Sequence, residues 1–115
     1  MIGIEFGIIP SIDKTKIYTY DEAQEYNCVT IDDDLYINDW WNELQKMNTY
    51  FNDLTVSAKG LNRHGITLIP PTSLSLFENI VQNDLRIELD VNLKQLLKII
   101  QIAKVQNKFM IHYGI

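Results

Sequence analysis

Asn38-Asp-Trp-Trp-Asn-Glu-Leu-Gln-Lys-Met-Asn-Thr-Tyr-Phe-Asn-Asp-Leu54 is the stretch on which the reading of the whole chain turns. Asn38 or Asp39 can cap a helix N-terminus, and Trp40, Leu44, Met47, Phe51 and Leu54 then recur at offsets of four and three, the spacing of one buried helix face. One amphipathic helix over 38–54 is the expectation. Asp39, Glu43, Tyr50 and Asp53 keep the same spacing about one residue out of phase, so they form a stripe beside the buried one, interrupted by Lys46. On that helix, carboxylates and an aromatic share an accessible edge.

Working outward, residues 2–9 are mostly apolar, as in a strand covered on both faces, and Pro10 and Ser11 end the run. Residues 21–26 read as a short helix with acidic residues in its first turn, where the helix dipole favours them. Residues 28–31 are β-branched enough for an optional short strand, and Asp32-Asp33-Asp34 then mark an exposed loop, because three adjacent carboxylates resist joint desolvation. On the other side, Gly60 and Gly65 bracket a connection holding Arg63 and His64. Ile66 to Ile69 is a compact strand stopped by Pro70 and Pro71. A helix starts at Ser73 or Ser75, with Ser75 and Glu78 spaced as a capping box and Leu76, Phe77, Ile80 and Val81 as its apolar face. The last helix opens at Asn92, ends near Asn107 and is apolar almost all round. It is expected to lie sandwiched in the core, with Lys94, Lys98 and Lys104 reaching water on their long stems. A strand over 109–115 closes the chain.

The resulting order, β-α-α-β-α-α-β, predicts a single α/β domain over residues 1–115, with a small, largely parallel sheet of three to four strands flanked by helices. Residues 4–8, Ile-Glu-Phe-Gly-Ile, echo residues 111–115, Ile-His-Tyr-Gly-Ile. If those strands are neighbours, Glu5 and His112 can meet and the carboxylate would tune the imidazole.

Charge divides the chain more sharply than pattern does. Residues 1–53 carry eleven carboxylates against three lysines, whereas residues 54–115 carry four against seven cations. The acidic half also holds Tyr18, Tyr20, Tyr26, Tyr36, Trp40, Trp41, Tyr50 and Phe51. Carboxylates set among rigid aromatics suit capture of a basic protein, since charge speeds encounter and aromatic burial supplies contact energy. A sequence pI near 4.8 argues against nucleic acid and anionic membrane as partners. The N-terminus has no basic, apolar leader, no apolar run approaches bilayer length, and a lone Cys28 cannot form an internal disulfide, so the cytoplasm is the expected compartment.

Motifs for chemistry are missing. Asp32, Asp34 and Glu43 fall at positions 1, 3 and 12 of a calcium loop, but Ile37 stands where its glycine is required, and no metal or other cofactor is expected. His64 and His112 leave one enzyme alternative, a small hydrolase or nuclease using either as a base beside a carboxylate. The favoured reading, partner binding, assigns electrostatic contacts to Asp32, Asp33, Asp34, Asp39 and Glu43, with Tyr36, Trp41 and Tyr50 as packing anchors. Each has a plainer role open to it: a solvated acidic run, a helix cap at Asp39, two tryptophans both packed inward.

Three stretches carry a family likeness: Leu35 to Leu44, Gly65 to Ile69 with Leu74 to Val81, and Leu93 to Ala103 followed by Phe109 to Tyr113. In the order of its elements the chain resembles the barstar family of small acidic ribonuclease inhibitors. More broadly it looks like the small acidic immunity proteins that bacteria encode beside polymorphic or contact-dependent toxins. The resemblance implies neutralisation of a cognate basic toxin, most naturally a nuclease, by covering its active surface, with no catalysis by the chain itself. A carboxylate face would then offer to Lys and Arg of the toxin the charges that a phosphate backbone offers.

Overall fold

The helix expected over 38–54 stops at Leu44, and the fold is reorganised around that break. In the computed structural model, which describes residues 3–115, α1 spans Asn38–Leu44 and is followed after a short turn by strand β3, Asn48–Phe51. Thr49, Tyr50 and Phe51 are strong strand formers, and Asn52 adopts φ 66°, a left-handed conformation that ends the strand and starts a hairpin to β4, Ser57–Lys59. Spacings of three and four through Met47 and Phe51 therefore belonged to a helix, a turn and a strand in succession.

The other strands are β1 (Gly3–Ile8), β2 (Val29–Asp32), β5 (Ile66–Ile69) and β6 (Met110–Tyr113). Ile2, the expected start of the first strand, lies outside the described residues. The six strands form one sheet in the order β2-β1-β6-β5-β3-β4, and every neighbouring pair is antiparallel. This corrects the small, largely parallel sheet expected from the element order. The reason lies in how many helices separate strands: one helix returns the chain to a parallel strand, whereas two antiparallel helices return it reversed. Between β5 and β6 run two helices, α2 (Leu74–Gln82) and α3 (Val91–Gln106), so those neighbours are antiparallel.

Both sheet faces are covered. On one, Ile4, Phe6, Ile31, Ile69 and Met110 pack with Trp40 and Leu44 of α1, Leu74, Phe77 and Val81 of α2, and Leu93, Leu96, Ile100 and Ala103 of α3. On the other, Ile66, Leu68, Ile111 and Tyr113 pack with Tyr18, Tyr26 and Cys28 of the connection from β1 to β2. That connection includes a 3-10 segment, Tyr20–Tyr26, where the short helix was expected, capped by Thr19 and Glu22. Helix α3 is not sandwiched: Val105 is exposed and Ile102 partly so, and only one side is buried. Asp90 caps its start and Asn107, at φ 57°, its end. The capping box expected at Ser75 and Glu78 is absent, for Glu78 pairs with Lys104 and Ser73 donates to the Asn48 carbonyl. No helix among the described residues is long and apolar enough to cross a membrane.

Candidate partner-binding site

The acidic triplet does not stay together in water. Asp32 accepts from the Leu35 amide and caps a π-helical turn, Asp33–Ile37, that runs directly into α1. That turn rotates the next carboxylate inward: Asp33 is 1% exposed and takes both Arg63 Nε and Nη2, at 3.0 and 2.8 Å, on a single oxygen. Its second oxygen meets no donor among the described residues. Asp34 is exposed and meets none either. The expected solvated loop is thus a buried ion pair flanked by a cap and one open carboxylate.

Arg63 is fixed from behind by the chain terminus. Its carbonyl accepts from the Ile115 amide, the Gly65 carbonyl accepts from Gly114, and a Cβ at Gly114 would stand 2.1 Å from the Arg63 carbonyl oxygen. Only glycine permits that approach. The guanidinium also lies over the ring of Trp41, which is half-buried.

A second arginine organises the other end of α1. Arg86 sits in a turn between α2 and α3, a 3-10 segment, Leu85–Glu88. It binds Asp84 through Nε and Nη2 at 2.9 and 2.7 Å, reaches Asp39 at 3.1 Å, and donates to the Leu35 carbonyl. Its charge lies 4.5 Å from the centre of the Tyr36 ring. The Arg86 guanidinium holds the Asp84 carboxyl down to about 2, helped by the Trp40 indole, which donates to it at 2.8 Å. Tyr36 is buried, and its hydroxyl bonds Asp90; burial first, and that carboxylate second, push the phenol up to about 12. Tyr36 therefore anchors the fold from inside and presents no ring to a partner.

Asp39 and Glu43 are the expected residues that remain together and outward, one turn apart on α1. Their side chains are 64% and 54% exposed, Asp39 against Arg86 and Glu43 against Lys46. Asp39 does not cap the helix, since the π-helical turn supplies the preceding residues. Tyr50 is separated from them: it lies on β3 opposite Leu68 and belongs to the cluster on the far face of the sheet. The single acidic and aromatic stripe drawn on a long helix is therefore divided, with Asp33 and Tyr36 inside and Tyr50 elsewhere.

What sequence reasoning missed is apolar. Leu85 and Leu89 are 89% and 93% exposed, and Leu35 and Val91 are also open to solvent. The two segments that carry them are tied through Arg86 to Leu35 and through Tyr36 to Asp90. Leu85 and Leu89 keep the four-residue spacing of a buried helix face, so their pattern alone does not mark them as exposed.

The histidines are apart from this surface. His112 opposes Phe6 across β1 and β6, with rings 5.1 Å apart, and its Nδ1 lies 3.2 Å from Thr67 Oγ1; burial pulls its pKa down to about 3. Glu5 opposes Tyr113 instead, so the two side chains that were expected to meet point to opposite faces. His64 is exposed on the loop before β5. Burial also raises the Cys28 thiol to about 11, which keeps it protonated and unreactive near neutrality. No group of three or more His, Cys, Asp or Glu among the described residues is placed to share a metal ion.

Compared with protein-family models, curated proteins and solved structures, the chain matches none.

Proposed function

We propose that the chain is an immunity-type binding protein that neutralises a cognate basic toxin, a nuclease being the natural case, by covering its active surface. The observation that carries this reading is the near-complete exposure of Leu85 and Leu89 on the segment whose Arg86 meets Asp39 and the Leu35 carbonyl, with the exposed Asp34 and Glu88 next to Leu35 and Leu89 in the chain. A single exposed leucine needs no explanation, but a set on two linked segments costs solubility without serving this chain's own core. Apolar contacts rimmed by one sign of charge are the usual make-up of an interface, where charge orients the encounter and apolar burial holds it. The likeness to barstar rests on the order of elements and adds no observation of this surface. The surface alone supports the reading.

The ion pairs do not cancel this face. Exposed pairs such as Asp39 with Arg86 and Glu43 with Lys46 contribute roughly 0 to 1 kcal/mol, so cations of a partner can replace them. Asp33, held by Arg63 in the interior, is excluded from contact, and Asp32 is committed to its cap.

Co-expression tests the proposal. The product of the adjacent reading frame, expressed alone, should arrest growth, and this chain should restore it. Leu85→Glu with Leu89→Glu should fold normally, both sites being open to water, and lose protection. Full protection by that double variant, or no toxicity to protect against, would overturn the reading.

A further inference from the structure

Helices α1 and α2 leave a groove of about 290 Å³ between them, at the low end for small-molecule sites and suited to one long side chain. Its floor is apolar: Trp40, Leu76 and Ile80. Asp39 and Glu43 stand on one rim, Asn79 and Asn83 on the other, each pair a helical turn apart. Asp84 and Arg86 close one end. Three carboxylates against one guanidinium leave an excess of two negative charges inside, and Lys46, outside against Glu43, offsets one of them.

From this geometry we infer that the groove receives the side chain of an arginine from the basic partner, an inference that rests on the function proposed above and assigns its central contact. An arginine has an aliphatic stem for Trp40 and Ile80 and five donors in a planar fork. The acceptors waiting for it are two carboxylates and two amide carbonyls. A lysine ammonium has three donors on a point charge and would leave part of that set unmatched. The chain supplies its own precedent at the closed end, where Arg86 spans Asp84 and Asp39. Its bond to Asp84 uses two nitrogens and that carboxylate is mostly buried, whereas the contact to Asp39 is single and exposed. The incoming guanidinium takes Asp39 from Arg86, and Arg86 stays on Asp84.

The test uses N-acetyl-arginine amide, its lysine counterpart and its uncharged citrulline counterpart, titrated into the whole isotope-labelled chain. The readout is the Trp40 indole N–H resonance, distinguished from that of Trp41 with a Trp41→Phe variant. The arginine amide should move the Trp40 signal saturably and the citrulline amide should not. Asp39→Asn with Glu43→Gln should weaken binding roughly tenfold, being two exposed charge pairs. Lys46→Gln, at an exposed site, should strengthen it about twofold by freeing Glu43. Equal response to lysine or citrulline, or an unchanged titration in Asp39→Asn with Glu43→Gln, would overturn the inference. This readout needs no toxin, so it separates the groove from the function: protection by the wild-type chain with no arginine binding sinks the groove alone, and arginine binding without protection sinks the function alone.

Discussion

Asp33 and Asp39 belong to one acidic stretch, each pairs with an arginine from the basic half of the chain, and the distances are nearly alike at 2.8 and 3.1 Å. Their surroundings differ completely: the Asp33 side chain is 2% exposed and that of Asp39 is 64%. Chemistry that looks identical in sequence is thus split between a joint and a surface. The buried pair fastens the π-helical turn to the loop before β5, which the terminal Gly114 and Ile115 hold in place. The exposed pair is exchangeable. A carboxylate becomes a binding group or a structural one according to whether water remains to compete for it.

The largest expected effect tests the joint. Asp33→Ala should lower stability by about 3 kcal/mol in urea unfolding, because Arg63 is left largely buried without its counter-charge. A loss under about 1 kcal/mol would mean that burial does not separate the two pairs as argued.

His112 extends the test to a buried group that has no ion partner. Its folded pKa of about 3 lies below the ordinary 6.5, so the unfolded chain takes up a proton first as the solution is acidified. Its contribution is full above about pH 6.5 and is lost as pH falls towards 3, at about 1.4 kcal/mol per unit. Near pH 5 the cost should reach about 2 kcal/mol. His112→Gln should flatten that part of the stability profile. A profile of equal slope between pH 6.5 and 4 in variant and wild type would show that the imidazole is not buried neutral.

Asp84 stands between the extremes, with its side chain 8% exposed and four donors on it, the Arg86 amide among them. Asp84→Ala should cost about 1 to 2 kcal/mol, since Trp40 loses its acceptor while Arg86 can still reach Asp39 and water. Being held down to about 2 from the ordinary 3.8, this carboxyl contributes stability above about pH 3.8 that disappears as pH falls through 2, a window below that of His112. A loss as large as that from Asp33→Ala would place Arg86, too, among the joints.

The same contrast explains what could be read from the chain alone. Strands at β1, β2, β5 and β6 and helices α2 and α3 were legible because each is a local pattern with its own stop signals. The long helix was misread because Trp40, Leu44, Met47 and Phe51 satisfy helical spacing while lying on three different elements. Strand direction was legible between residues 66–69 and 109–115, where two helices were expected and two return the chain antiparallel, so the parallel expectation did not follow from its own element order. At the site, exposure of Asp39 and Glu43 was foreseen, but the burial of Asp33 depends on Arg63 thirty residues away, and a charge run in sequence carries no sign of that partner.

The smallest expected effect is also the one that makes the contrast useful. Asp39→Asn removes an exposed contact whose arginine keeps two bonds to Asp84, so stability should change by no more than about 0.5 kcal/mol. Raising the salt from 0.05 to 0.5 M should leave that small difference smaller still, because the pair is open to screening. In the arginine-amide titration the same substitution should cost several-fold, since the carboxylate is then set against a partner guanidinium in a groove with an apolar floor. A group that matters little to folding and much to binding is what an exchangeable pair requires. If Asp39→Asn instead destabilised the chain by 2 kcal/mol or more, Asp39 would be a second Asp33, and the exposed face would lose the charge through which it is proposed to act.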